Sequence, residues 1–302
     1  MLPYCSKREE NLKEYSRTRF LLGTYVTIRA YSVFDAGPAI RRAFKEIERI
    51  SRKYSFEREG SYLNNLNKGV SELDRETVTL LNFALKLCND SNGAFDPTVG
   101  RLKLLWGFNK KPRLPAPEEI KEALKYVGAE KLKIKDNKFI SKGIFLDFSA
   151  FAKGYAVDRA GEILKKEGIN SFLIDAGGDI KVSGEKPGGE AWKIGIKNPL
   201  GKGIIKVIEL IDGAIATSGD YENFFVKDGT RYHHLLNPKT GYPARGLHSV
   251  SVVAPTDMEA DAFASAVFVM GKERAERFAV SHKIRVILVD DAGKIWDFGN
   301  SN

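Results

Sequence analysis

Apolar residues recur along this chain with two periods, and the switches between them lay out a mixed fold. Over 24–31, Val26, Ile28 and Ala30 alternate with more polar neighbours, as in a strand with one buried face. After Asp35, a predicted N-cap, and Pro38, a first-turn residue, the period lengthens. Ile40, Ala43, Phe44, Ile47 and Ile50 then share one side of a helix. The polar stretch 54–69 predicts a long loop, and a second helix spans about 77–89, ending before Gly93. An irregular connection follows at 95–100. Pro112, Pro115 and Pro117 then form a stiff linker into a short helix over 118–127.

Residues 131–148 predict a hairpin turning at Asp136-Asn137, whose second arm includes an apolar strand over 143–148. Small residues and Lys153-Gly154 lead into an amphipathic helix, then into a strand ending at Ala176-Gly177-Gly178-Asp179. Further strands are predicted around Ile194 and over 205–210 and 221–225, with a hairpin at Asp228-Gly229 and a tight turn over 237–241. A strand over 248–254 precedes a helix capped by Asp257, which stops at Gly271 and resumes to about Ser281. A hairpin over 284–289 and 294–298 closes the chain. Strands joined by hairpins with helices between them predict an α+β fold, mainly antiparallel, rather than a doubly wound parallel sheet.

Composition narrows this picture. The 302 residues have room for one large or two modest domains, and 43% hydrophobic with 29% charged residues is ordinary for a globular chain. No apolar run approaches the roughly 20 residues that span a bilayer. Glutamine is absent while Lys, Arg and Glu abound, a balance suited to high temperature. The net charge of +9 comes from bases scattered among acids, as over 41–49, and no basic run or aromatic-interleaved stripe appears. That pattern predicts no nucleic-acid partner and favours an anionic cofactor instead. Of two cysteines, Cys88 falls on the apolar side of a predicted helix. Cys5 follows Leu2-Pro3-Tyr4 at lipoprotein-box spacing with no hydrophobic region before it. It is either an exposed thiol near a frayed terminus or the trace of a missing signal segment.

Several groups carry candidate chemistry. Asp261 and Ser265 are four apart on a helix, so both project from one face and offer the hard oxygens that suit Mg²⁺. Their neighbours Ala260, Ala262, Phe263, Ala264 and Ala266 imply burial, where an Asp needs a partner or a metal. Asp147 either binds the donor edge of a heterocycle or caps the next helix, and Lys153 either holds phosphate or is an exposed first-turn lysine. Gly177-Gly178 is either a close-approach element or a turn. His233 and His234 are adjacent on a predicted strand and face opposite ways, which argues against a zinc site. One of them facing a cleft is suited to act as a general base, and the alternative for either is a satisfied core or surface histidine.

Ordered motifs then converge. Gly23-Thr24, the run 61–67, Gly93-Ala94-Phe95-Asp96-Pro97-Thr98-Val99-Gly100, Leu105-Trp106-Gly107-Phe108, the run 147–158, Asp175-Ala176-Gly177-Gly178-Asp179-Ile180, Ala216-Thr217-Ser218-Gly219-Asp220-Tyr221 and the run 237–243 resemble, in order, the motifs of the FAD:protein FMN transferase (ApbE-like) family. The resemblance implies a T-fold-like α+β architecture of two closely associated subdomains with the site between them. It also implies a tail over 1–20, a flavin transferase domain over 21–302 and a seam near 109–117.

By the same resemblance, FAD contacts map to Leu22, Ala94, Phe95, Asp96, Asp147, Lys153 and Leu236. Mg²⁺ ligands map to the Ala150 carbonyl, Asp261 and Ser265, and His234 matches a residue that helps deprotonate the acceptor. The implied activity is Mg²⁺-dependent transfer of FMN from FAD to a Ser or Thr of an acceptor flavoprotein, releasing AMP. The alternatives are FAD hydrolysis to FMN and AMP, or FAD binding without turnover. Acceptors of the family are redox subunits, often membrane-bound, and its members commonly work outside the cytoplasmic membrane, whereas this chain shows no signal peptide. This sequence departs from the pattern at Leu22 (for Met), Ser265 (for Thr), Ala264 (for an acid) and Asn237 (for Asp). Glu57 stands where an aromatic flavin contact is expected, with Tyr54 or Phe56 as substitutes.

Overall fold

The computed structural model describes residues 12–69, 72–108, 110–135, 138–141 and 143–299. Cys5, the Asp136-Asn137 turn and position 109 lie outside them. The chain opens with a hairpin of β1 (Lys13–Leu21) and β2 (Thr24–Ser32), followed by α1 (Gly37–Tyr54), α2 (Tyr62–Asn67), α3 (Arg75–Asp90), α4 (Gly100–Trp106) and α5 (Pro117–Leu124). Two short strands, β3 (Ile134–Lys135) and β4 (Lys138–Phe139), precede α6 (Ala152–Lys166), β5 (Ser171–Ala176) and β6 (Ile180–Ser183). Next come the hairpin β7 (Trp192–Lys197) and β8 (Ile204–Leu210), strand β9 (Gly213–Gly219), and the hairpin β10 (Phe224–Lys227) and β11 (Thr230–His233). The chain ends with β12 (Leu247–Ala254), α7 (Asp257–Met270), α8 (Lys272–His282), β13 (Arg285–Asp290) and β14 (Ile295–Phe298).

Eight strands form one sheet in the order β1-β2-β5-β6-β9-β12-β13-β14, with every pairing antiparallel. The α+β expectation holds. The alternation seen in β2 puts Val26, Ile28 and Ala30 into the core, where they meet the apolar stripe of α1 and helices α6 and α7. The opposite face of the sheet is covered by β7 and β8, whose Trp192, Ile194, Ile196 and Ile208 pack on Val182, Ile215 and Ile287. A third cluster joins Leu102, Trp106, Phe108, Ile120 and Val127 to Leu236, with Phe225 and Tyr232 against it. Trp106 Nε1 donates to the Gly241 carbonyl at 2.8 Å, tying α4 to the turn after β11.

Where the structure differs from the sequence expectations, the causes are local. Residues 13–21, all but Leu21 assigned to the tail, form an edge strand paired along its length with β2. Both of its faces are largely exposed, so no alternation betrays it. The expected long loop over 54–69 contains α2. Ser61 Oγ accepts from Asn64 N at 3.0 Å as its cap, and Leu63 and Leu66 bury its one apolar side. The apolar segment 143–148 makes one isolated bridge, Phe145 to Val99, rather than a strand arm. The Asn67 side chain takes the place of a ladder there, accepting from Leu146 N at 2.8 Å and donating to Leu146 O at 2.9 Å. Strand β9 was not anticipated because it is central and buried on both faces, and the strand expected over 221–225 begins only at Phe224. Thr256, not Asp257, caps α7 and accepts from Glu259 N, while Ala36 takes the cap position expected of Asp35. Among the described residues no helix is long and apolar enough to cross a membrane.

The crossing of α6 and α7 fixes the centre of the molecule. A Cβ on Gly154 would lie 2.3 Å from the Asp257 carbonyl oxygen and 2.7 Å from Met258 N, so only glycine allows this approach. From α6, Asp158 accepts from Asp257 N at 3.0 Å and Met258 N at 2.8 Å, satisfying the start of α7 while pairing with Lys181 at 2.8 Å. Gly154→Ala is therefore expected to destabilise by about 1–3 kcal/mol, and a thermal melt should show Tm falling by several degrees. An unchanged Tm would mean that the two helices separate without cost.

Candidate active site

Two cavities meet beside the start of α6. The larger, about 790 Å³, runs from the β1–β2 turn (Leu22, Gly23) past Tyr54, Ser55, Phe56 and Glu57 to Lys153 and Asn223. The smaller, about 50 Å³, is bounded by Ala94, Phe95, Asp96, Asp147, Ala150, Leu236 and Ser265. Lys103 and His234 line both. The structure thus gathers every predicted cofactor residue around two adjoining spaces, while Asp261 lines neither and is tied to the start of α6 beside Lys153.

Leu22 reaches the larger cavity because the β1–β2 loop is a two-residue turn with positive φ at both positions, 56° at Leu22 and 77° at Gly23. A leucine in the left-handed region costs roughly 1–2 kcal/mol, which the surrounding hairpin bears. Across the cavity, Tyr54, Phe56 and Glu57 all face the space where an aromatic contact was expected. The Tyr54 hydroxyl meets Thr77 Oγ1 at 3.1 Å and its ring packs on Phe148.

The carboxylates of Asp96 and Asp147 are occupied by the protein itself. Asp96 Oδ1 accepts from Thr98 N at 2.8 Å and Thr98 Oγ1 at 2.6 Å, and its Oδ2 accepts from Ala129 N at 3.1 Å. It staples its loop in place and presents Ala94 and Phe95 to the smaller cavity. Asp147 accepts from Ser149 N at 2.8 Å and Ser149 Oγ at 2.9 Å, and Lys103 Nζ lies 2.7 Å from its Oδ2. Half-buried Cys88 sits 3.8 Å from Asp96 Oδ2, and burial with that neighbour pushes its thiol up to about 12, so it is no nucleophile.

Lys153 lies 2.9 Å from Asp179 Oδ2, an ion pair off the hydrogen-bonding direction of that oxygen. Burial works against its charge, but Asp179 and Asp261 overcome that penalty and strengthen its hold on its proton. Asp179, Asp257 and Asp261 are all buried, and burial raises each carboxyl above the ordinary range, with repulsion from Asp175 adding to it at Asp179 and repulsion from Asp179 adding to it at Asp257 and Asp261. Both oxygens of Asp257 lack a hydrogen-bond partner among the described residues. Gly154 N, at the start of α6, donates to Asp261 Oδ2 at 3.2 Å.

Such desolvated, mutually repelling carboxylates favour a cation, and the donor set of Asp261, the Ser265 hydroxyl and the Ala150 carbonyl is hard-oxygen in type. Ser265 and Ala150 face the same small cavity, and Ser265 Oγ is 3.1 Å from Ser218 Oγ. These residues fit Mg²⁺. Among the described residues no three His, Cys, Asp or Glu side chains converge as metal ligands, so any metal here depends on hydroxyl and carbonyl oxygens too.

The two histidines part as expected. His233 is buried, with Nε2 2.9 Å from the Ala244 carbonyl and its ring edge-on to Phe268; burial pushes it down to about 4. His234 turns to the cavities, with a buried Nδ1 that has no partner among the described residues. Burial, then the charge of Lys103, pushes it down to about 3, so it is a neutral imidazole at ordinary pH.

The sequence reasoning overlooked Lys103 and the buried Asp257. One clue to Lys103 was present. Val99, Leu102, Lys103 and Trp106 follow the i, i+3, i+4, i+7 spacing of a buried stripe, so a cation occupies a position meant for the interior. No comparable clue marks Asp257, since a helix N-terminus is an ordinary place for an acid.

The comparisons with known proteins agree with this geometry. The FAD:protein FMN transferase of Vibrio cholerae is 35% identical over 256 residues, 80% of this chain and 76% of that protein. The FAD:protein FMN transferase of Haemophilus influenzae is 33% identical over 310 residues, 95% of this chain and 89% of that one. The crystal structure of the ApbE protein of Thermotoga maritima superposes with a TM-score of 0.89 at 39% identity, covering 95% of this chain and 97% of its own. The flavin transferase ApbE of Vibrio cholerae superposes with a TM-score of 0.85 at 30% identity, covering 96% and 98%. With the ApbE family model matching residues 22–288, the chain belongs to the ApbE family.

Proposed function

We propose that this protein is a transferase that moves the FMN half of FAD onto a Ser or Thr hydroxyl of an acceptor flavoprotein and releases AMP. The observation that carries this reading is that Lys103 and His234 line both cavities, with Lys153 in the larger one and buried Asp261 held by the neighbouring Gly154 amide. That is a place for a diphosphate with an attacking group beside it. Relatives named FAD:protein FMN transferase support the same chemistry.

In this reading the flavin lies in the larger cavity against Leu22 and the 54–57 wall, and the adenylate half runs along Ala94, Phe95 and Leu236. Lys153, kept charged by Asp179, holds phosphate oxygens. Mg²⁺ held by Asp261, Ser265 and the Ala150 carbonyl would neutralise phosphate charge as it develops. The acceptor hydroxyl oxygen forms a bond to the phosphorus of the FMN half, and the bond from that phosphorus to the bridging oxygen breaks, so AMP departs with that oxygen. The hydroxyl proton passes to His234. Its proton affinity is low in the free protein, and the negative diphosphate raises it only when substrate is in place. The acceptor's chemistry is that of a redox subunit, membrane-bound acceptors included.

The decisive assay incubates the protein with FAD and Mg²⁺, with and without such an acceptor, and follows acceptor mass together with free AMP and FMN. Acceptor gaining the FMN mass with matching AMP is the expected result. FMN and AMP formed in water without labelling would make the protein a hydrolase, and no turnover at all would make it a carrier.

Asp261→Ala should abolish Mg²⁺-dependent AMP release, since it removes the one anionic donor of the proposed set, whereas Ser265→Thr should keep it. AMP release near the parent rate in Asp261→Ala would place the metal elsewhere. His234→Ala should slow transfer by roughly 10²–10⁴ while flavin titration shows unchanged FAD affinity. His233→Ala should retain rate and lose stability, because its ring fills space against Phe268. The reverse pattern in the two variants would contradict the assignment.

A further inference from the structure

We infer that Lys103 is a second cationic anchor of the cofactor, gripping the diphosphate on its adenylate side; this rests on the FAD reading above. Lys103 and His234 are shared by both cavities, so a dinucleotide with its flavin in the larger one carries its diphosphate past them. The ammonium group has three donors. Two are used, toward Asp147 Oδ2 at 2.7 Å and Ser149 Oγ at 2.6 Å, and the third has no protein acceptor among the described residues. Those two contacts fix the ammonium rather than spend it, because Asp147 is also held by Ser149 N and Ser149 Oγ. Lys153 lines the larger cavity as well. The diphosphate therefore lies between two lysines, each steadied by a buried Asp: Asp179 for Lys153 and Asp147 for Lys103. In this arrangement Asp147 serves the cofactor by holding Lys103.

A lysine at this place binds by charge, so its removal should affect phosphate-bearing ligands and spare the rest. The test is calorimetric titration of the parent protein, Lys103→Met, Lys103→Gln and Lys103→Arg in Mg²⁺ buffer with ADP and with adenosine, and with FAD on the parent. Loss of one charge-assisted phosphate contact should weaken ADP binding by about ten- to hundredfold in the Met and Gln variants. Adenosine affinity should be unchanged in both, which also reports an intact fold, and Arg should recover most of the loss. ADP bound as tightly by the neutral variants as by the parent overturns the assignment, while FAD binding by the parent leaves the cofactor reading standing. Equal losses for adenosine and ADP also overturn it, because the lysine would then act only through the placement of Asp147. A parent that binds neither ADP nor FAD contradicts both readings together.

Discussion

Burying three carboxylates around one lysine is the constraint on which the rest of the structure depends. Asp179, Asp257 and Asp261 sit out of water near Lys153, and charge of one sign in a dry interior is costly unless it is answered. The protein answers part of it with the Lys153–Asp179 pair, with the Gly154 amide donated to Asp261, and with the start of α6 pointing at the cluster. Among the described residues the remainder is unanswered, as the bare oxygens of Asp257 show. A site held in this unbalanced state favours a divalent cation and the phosphates that accompany it. The close crossing at Gly154 is what brings the two helix starts together, so fold and chemistry share one contact.

The two cavities follow from the same frame. The turn after β5 delivers Asp179, and α6 delivers Lys153, which pairs with it. The α3–α4 connection, stapled by Asp96, delivers Ala94 and Phe95, and the residue after β11 delivers His234. No single element holds the site. Each contributes an end or a turn, where backbone groups are not already used by a ladder or a helix. The strained Leu22 turn belongs to the same pattern, since its backbone conformation brings the tip of the β1–β2 hairpin to the wall of the larger cavity.

Much of this was legible in the sequence, and the failures have physical reasons. Period-two alternation found β2 because it buries one apolar face in the core, and helical spacing found α1 for the same reason. Edge strand β1 and central strand β9 escaped because one is exposed on both faces and the other buried on both, so neither alternates. The segment 143–148 is as apolar as a strand, yet the Asn67 side chain supplies its pairing, a long-range bond that no local pattern announces. Motif order picked out residues that the fold gathers around two adjoining cavities, and the family resemblance gave Asp96 and Asp147 direct roles. What no motif announced is that their oxygens also hold the loop and Lys103. Lys103 itself was hidden because a lysine in a helix is ordinarily a surface residue.

The account is tested most directly by diffraction from crystals grown with FAD and Mn²⁺, using the anomalous scattering of manganese to mark the metal. It predicts one strong peak bounded by the Ala150 carbonyl, Asp261 and Ser265, with the diphosphate spanning Lys153 and Lys103 and the flavin against Leu22. Manganese on Asp257 away from the phosphates, or FAD seated instead in the neighbouring 640 Å³ cavity beside Cys88 and Lys239, would contradict it.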